Sequence, residues 1–504
     1  MDFLTFFDND FKAVMPELYL FCAILILLSY GVIFSTSKEL NYPIIQLNVG
    51  WLTILSIFIS FFLLLNGSFT AETGYIASVF NGQLIIDPFS TFTKGLILLS
   101  SAVCSLMSLS YLEYKKVNSF EYFLLILFAT LGMVCLVSSN DLLALYMSIE
   151  LMSLSFYILA SYKRNSEFSG EAGLKYFILG AFSSGLLLFG MSLIYGFTGL
   201  TNFEELAKLL TGINNSIDVI SYNGILLGIL FVSFALLFKV AAAPFHMWSP
   251  DVYEGAPMPV TAFFSIVPKV AIFALFLRLF YSTFYDFLGF WQPIFLYCSI
   301  VSMIVGSIGA LYQKKLKRLM AYSGIANVGY MLAGLSAATV ESAHGLIFFL
   351  LVYVITLIAF FSFMLGTFTN KDSKMNTQIS DLVNLGAVNP VLAFSIVFIL
   401  FSMIGLPPLA GFFAKYYLFL SMIQSELYML AIIGVLSSVI AAFYYIRLIK
   451  VMFFEVSPNY LTYKTMDKIN ALILSSSLFI LVFLFAWPHP VLSCIHNIAI
   501  TLVL

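Results

Sequence analysis

Four ionisable side chains stand inside stretches apolar enough to cross a membrane. Glu150 lies in the middle of 142–162, Lys239 late in 224–248, Lys269 in a run beginning near Val260, and Lys415 in the run that holds Pro407 and Pro408. A charge at membrane depth costs several kcal/mol unless it is paired or hydrated, so each one needs a reason. One acid and three lysines on separate runs have the chemistry of a proton relay. Desolvation favours a neutral amine and a nearby carboxylate favours the ammonium, so a small change in pairing loads or releases a proton. A static buried ion pair, or a lysine that snorkels to the interface, is the plainer alternative for any one of them. The set of four favours a relay.

Helix breakers stand beside two of these lysines. Lys239 precedes Pro244 in Lys239-Val-Ala-Ala-Ala-Pro244-Phe-His246-Met-Trp248, and Lys415 follows Gly405-Leu-Pro407-Pro408-Leu-Ala-Gly411. Proline removes a backbone donor and breaks a helix. Unwound backbone at membrane depth persists only inside protein or beside water, and paired discontinuous helices are a pointer to an ion path. The second break is expected around 406–410. His246, just past the first break, and His344, opening another run, are secondary relay candidates because imidazole ionises near neutral pH. His489 and His496 read as incidental, and the cluster Lys314–Arg318 reads as a solvated loop.

The elements that must hold these groups are membrane helices. The 504-residue chain is 61% hydrophobic and 10% charged, against about 25% charged in a soluble domain. This predicts an all-α polytopic membrane protein with about fourteen spans. They start near Leu18, Ile44, Pro88, Phe120, Leu142, Ala172, Gly224, Val260, Pro293, Leu319, Ala343, Val391, Tyr428 and Ala471. The stretches 202–210 and 376–385 are too polar to span. Alternate loops carry lysine or arginine (Lys38; Lys115 and Lys116; Lys163 and Arg164; Lys314–Arg318; Lys371 and Lys374; Lys464 and Lys468). The other set is acidic, with Glu72, Asp87, Asp141, Asp218 and Glu341 among it. The positive-inside rule then puts both termini on the outer side. The acidic N-terminus (Asp2, Asp8, Asp10) does not read as a cleaved leader.

Other chemistries are absent from the sequence. The five cysteines, Cys22, Cys104, Cys135, Cys298 and Cys494, have no CxxC spacing and read as small apolar residues rather than metal or cluster ligands. No phosphate loop, dinucleotide fingerprint or haem-ligand pair is present, so no cofactor or metal is expected on this chain. The formal net charge of −2 gives no reason to expect nucleic acid. The 54 phenylalanines suit an AT-rich coding genome such as an organelle's.

Three long strings carry a resemblance: 166–185 (Ser166-Glu-Phe-Ser-Gly-Glu-Ala-Gly-Leu-Lys175 onward through Ser184), 244–257 (Pro244-Phe-His-Met-Trp-Ser-Pro-Asp251 onward through Gly255) and 316–323 (Leu316-Lys-Arg-Leu-Met-Ala-Tyr322-Ser). They resemble the antiporter-like subunits of respiratory complex I, the family of mitochondrial subunit 2 and bacterial subunit N. The likeness runs from about Leu18 to beyond Arg447, and its wording is nearest plant and protist mitochondrial forms. The resemblance implies two inverted five-helix repeats with broken helices, here 120–282 and 293–454, between N-terminal helices in 1–119 and a last helix and tail in 455–504. It also implies proton-relay roles for Glu150, Lys239, Lys269 and Lys415. Many relatives carry histidine where this chain has Asn327, so a relay there would need water or neighbours such as Ser323 and Tyr330.

The function so implied is a membrane-arm subunit of NADH:ubiquinone oxidoreductase that contributes to proton translocation. NADH, FMN, iron–sulfur clusters and ubiquinone would sit in neighbouring subunits. Its partners would be other membrane-arm subunits, including the adjacent antiporter-like one, with lipids and protons. The implied location is the mitochondrial inner membrane, multi-pass and organelle-encoded, or a bacterial plasma membrane. The alternatives are a free-standing cation/proton antiporter subunit and a structural subunit with a vestigial relay.

Overall fold

The computed structural model describes residues 10–35, 45–70, 77–115, 119–211, 219–367, 378–455 and 466–503. Asp2, Asp8, Lys38, Glu72, Lys116, Asp218, Lys371, Lys374, Asn376 and Lys464 fall outside the described residues. The helices are α1 (Met15–Phe34), α2 (Ile45–Thr70), α3 (Pro88–Lys115), α4 (Glu121–Ser138), α5 (Leu142–Ala160), α6 (Glu167–Thr198), α7 (Phe203–Thr211), α8 (Val219–Val240), α9 (Trp248–Gly255) and α10 (Met258–Arg278). They continue with α11 (Leu288–Leu311), α12 (Leu316–Ser336), α13 (Val340–Gly366), the single turn α14 (Leu385–Val388), α15 (Pro390–Ile404), α16 (Ala410–Gln424), α17 (Tyr428–Phe454), α18 (Lys468–Ala486) and α19 (His489–Val503). A two-stranded hairpin, β1 (Ala77–Val79) and β2 (Leu84–Ile86), precedes α3.

Among the described residues, twelve helices are long and apolar enough to cross a membrane. The fourteen expected spans are these twelve, the 21-residue α12, and the broken pair α15–α16. Membrane helices must satisfy their hydroxyls locally. On α3, Ser100, Ser101, Ser105 and Ser108 each donate to a carbonyl three or four residues back. The polar stretch after Thr201 forms the amphipathic α7, which buries Phe203, Leu206 and Leu210. The C-terminal segment differs from a simple tail: Trp487 and Pro488 end α18, and α19 follows.

The chain forms two compact units, one of 1–239, 267–291 and 500–504, the other of 240–266 and 292–499. In the first, neighbours in sequence from α1 to α6 pack on one another. Two acid–base pairs are buried there, although the sequence marks Asp87 only as a loop acid and gives no signal of burial for the other three residues. Lys94 Nζ lies 2.5 Å from Glu17 Oε1, with side chains 4% and 5% exposed. One Arg278 guanidinium nitrogen lies 3.0 Å from each oxygen of Asp87. Asp87 also caps α3 through reciprocal bonds with Ser90. Arg278 ends α10, whose apolar window is wholly buried, and a π-helical turn, Leu279–Thr283, follows.

In the second unit α13 packs against α16 and α18, and α9 against α12. The basic cluster at the start of α12 is not simply solvated. Lys315 and Arg318 both bind the Glu254 carboxylate at the end of α9, and Lys317 donates to the carbonyls of Glu254 and Ala256. Partial burial works to raise the Glu254 carboxyl pKa, but the bonds and charges of Lys315 and Arg318 outweigh it and hold it below the usual carboxylate value. Of the cysteines, Cys104 and Cys298 are buried, while Cys22 and Cys494 are exposed rather than core residues.

Candidate functional site: two helix breaks and the lysines beside them

Both proline-containing segments break where the sequence places them, and both breaks begin the same way. α8 ends at Val240 and Ala241 takes φ +62°; α15 ends at Ile404 and Gly405 takes φ +89°. A left-handed residue is a common way to leave a helix, and glycine does so without a Cβ penalty. At the second break Leu406 N donates to Phe401 O at 3.1 Å, and Gly405 N donates to Phe401 O and Ser402 O. The carbonyl of Ile404 is left over, and Lys415 Nζ takes it at 2.7 Å. Helix resumes at Ala410, so the non-helical stretch is 405–409, one residue off the expected one.

Lys415 is 7% exposed. Its ammonium also faces the Tyr330 ring, 5.0 Å from the centroid. The Tyr330 hydroxyl is 2.9 Å from Ser437 Oγ. Lys415 borders a cavity of about 30 Å³ that Ser323, Asn327, Tyr353, Thr356 and Tyr445 also line. That is room for about two waters, and the wall is polar enough to hold them. Gly411 makes the close approach of α16 to α15 possible, since a Cβ there would stand 1.9 Å from the Ser402 carbonyl oxygen.

In the other unit, Glu150 sits on α5 and Lys239 in the last turn of α8. Among the described residues no ion pair joins them, although Glu150 is near enough to act electrostatically on the ammonium. Lys239 Nζ instead meets the Tyr157 hydroxyl at 3.4 Å, with the ring centroid 5.8 Å away. Glu150 Oε1 is buried with no hydrogen-bond partner among the described residues. Lys269, 5% exposed, follows Pro268 within the unbroken α10.

The secondary candidates separate. Ser323 and Asn327 share the Lys415 cavity. His246 lies in the turn between α8 and α9, with Nδ1 buried and unpartnered among the described residues. His344, in the first turn of α13, has Nε2 3.3 Å from the Leu492 carbonyl and is edge-on to His496 at 5.7 Å. His496 is thus a neighbour of His344. Sequence reasoning missed Tyr157, Tyr353, Thr356 and Tyr445. A tyrosine in an apolar run carries no signal of its own until its partner is known.

Residues 139–441, which contain all four ionisable groups and both breaks, match the family described as the membrane region of NADH:quinone oxidoreductase and Mrp antiporters. The chain belongs to this family. It is 47% identical to the NADH-ubiquinone oxidoreductase chain 2 of Marchantia polymorpha over 99% of this chain and 100% of that one. It is 43% identical to the NADH-quinone oxidoreductase subunit N of Paramagnetospirillum magneticum over 88% of each. A chain of respiratory complex I from Thermus thermophilus, solved with bound aureothin, superposes with a TM-score of 0.77 at 28% identity, covering 95% of this chain and 98% of that one. A chain of the Mrp complex from a Dietzia species shares the fold at 18% identity, with a TM-score of 0.79 over 98% and 97% of the two chains. This member of the family is an antiporter-like, membrane-arm subunit of the chain 2 and subunit N type, and a multi-pass inner-membrane protein.

Proposed function

We propose that this chain moves protons across the membrane as part of an NADH:ubiquinone oxidoreductase, through Glu150, Lys239, Lys269 and Lys415. The observation that carries this reading is the second break: a buried lysine bonded to a severed helix end and bordering a cavity with room for water. Such a lysine can exchange a proton with ordered water, which a purely structural cap has no need to contact. Ser323 and Asn327 hold that water, with Asn327 donating and accepting hydrogen bonds without itself being protonated. His246 and His344 are secondary exchange points.

The redox chemistry belongs to other subunits, which carry NADH, FMN, iron–sulfur clusters and ubiquinone. Energy released there arrives through the neighbouring antiporter-like subunit as a change in the electrostatics of the charged residues. Segments 120–282 and 293–454 act as two inverted repeats, each contributing one broken helix, flanked by 1–119 and by 455–504. Lipid covers the exposed apolar faces. A free-standing antiporter is the second reading, since the family includes Mrp proteins. The 47% identity to a complex I chain, against 18% to the Mrp chain, favours the first. The deciding experiment is proton pumping per NADH oxidised in reconstituted vesicles, with Lys239→Met compared to wild type and comigration with NADH dehydrogenase activity checked on a native gel. Wild-type pumping by Lys239→Met, or a chain that migrates without that activity, would sink the proposal.

A further inference from the structure

We infer that the Tyr157 hydroxyl is a relay group between Glu150 and Lys239, and that Gly180 is the notch that admits it. The inference rests on the relay reading above and adds a residue to it.

Glu150, Ser153 and Tyr157 are spaced three and seven residues apart on α5, so they share one face of the helix. Ser153 Oγ donates to the Glu150 main-chain carbonyl at 3.2 Å, and the Glu150 carboxylate is near enough to act electrostatically on both the Tyr157 hydroxyl and the Lys239 amine. The Tyr157 hydroxyl in turn stands 3.4 Å from Lys239 Nζ. The Glu150 carboxylate has a buried oxygen with no hydrogen-bond partner among the described residues. A buried carboxylate oxygen is costly to leave unsatisfied, so its hydrogen-bonding capacity is available to the path.

The position of the phenol is built by α6. The Tyr157 ring stands edge-on to Tyr176 at 5.0 Å and to Phe177 at 5.6 Å. Its hydroxyl and ring edge enter the space where residue 180 has no side chain. A Cβ at Gly180 would lie 2.3 Å from the hydroxyl oxygen and 2.6 Å from the ring edge. A side chain at 180 would force the phenol to shift from this position. Held this way, the phenol meets the amine where a direct carboxylate contact would form a tight ion pair, and a tight pair does not release its proton readily.

In the transfer, the phenolic O–H bond breaks as its proton passes to the neutral Lys239 amine. A new O–H bond forms on the same oxygen with a proton that leaves the Glu150 carboxyl and arrives through water between the two side chains. The products are the Glu150 carboxylate, neutral Tyr157 and the Lys239 ammonium, and no electrons are exchanged.

The test uses the assembled complex in vesicles. Tyr157→Phe keeps the ring and its packing and removes only the hydroxyl. Gly180→Ala keeps the hydroxyl and displaces it. Both are expected to comigrate with NADH dehydrogenase activity and to pump severalfold fewer protons per NADH. A tyrosine C–O band in the redox-triggered infrared difference spectrum is expected to vanish in Tyr157→Phe, a signal that a merely structural tyrosine would not give. Wild-type proton yield in assembled Tyr157→Phe overturns the inference. Should that variant not assemble, wild-type yield in Gly180→Ala does the same. Glu150→Gln is the control: if it pumps normally the relay reading itself fails, whereas loss in Glu150→Gln with none in Tyr157→Phe removes Tyr157 alone.

Discussion

The Lys415 ammonium donates at 2.7 Å to the carbonyl of Ile404, the last residue of α15 before the chain breaks. The C-terminal end of a helix carries partial negative charge, about half an elementary charge, so a cation is stabilised there. The same lysine borders the polar cavity. It is therefore both a cap for a severed helix and a group in reach of water, and these two roles can be separated by mutation.

Lys415→Arg is expected to assemble normally and to lose much of its proton transfer. Arginine can still cap α15, but guanidinium hardly deprotonates. Proton pumping in reconstituted vesicles, measured alongside quinone reductase activity, checks it. Full pumping would reduce Lys415 to a fixed charge.

Removal of the α5 acid should be severe. Glu150→Ala leaves the buried Lys239 without the carboxylate that acts on its ammonium electrostatically. Pumping or assembly should fail, whereas Glu150→Asp should be milder. Wild-type behaviour of Glu150→Ala on native gels and in vesicles would end the argument.

Gly411→Ala should lower stability without touching an ionisable group. The added Cβ meets the backbone oxygen of Ser402, which cannot swing aside as a side chain could. Overpacking of this kind typically costs about 1–3 kcal/mol. The measurement is the thermal midpoint and yield of assembled complex, and an unchanged midpoint would contradict the packing of α16 on α15.

The Glu254 cluster predicts a pH dependence. Its carboxyl is held below the usual carboxylate value, so its contribution to stability is present above that value and lost as pH falls through the lowered one. Wild type should lose more stability than Glu254→Gln on acidification from neutral pH, and the difference should shrink in high salt because Lys315 and Arg318 are partly exposed. Parallel pH profiles of thermal unfolding for the two proteins would refute this.

Orientation in the membrane is open to direct labelling. A cysteine placed at Gln313, beside the basic cluster, should react from the matrix or cytoplasmic side only. Labelling from the outer side would reverse the topology expected from loop charge.

Much of this architecture was legible in the residues. The apolar runs set the spans, and prolines beside lysines located both breaks, because these are local properties of the chain. Side-chain pairing was less visible. Lys239 meets the Tyr157 hydroxyl, a partner that neither residue's place in the sequence announces. The space for it depends on Gly180, whose importance lies in what it lacks. Lys94 and Arg278 were readable as charges, but each stands within two turns of a helix end, where snorkelling is a sufficient account. Only the tertiary partners Glu17 and Asp87 show that they are buried.

The Asp87–Arg278 clasp has a mechanical consequence for Lys269. Arg278 lies nine residues further along α10, about 13.5 Å at the helical rise. A rod clamped at that end and enclosed along its length behaves as a stator rather than a piston. Any electrical work done on Lys269 would then fall on the torsions of its own four-carbon stem.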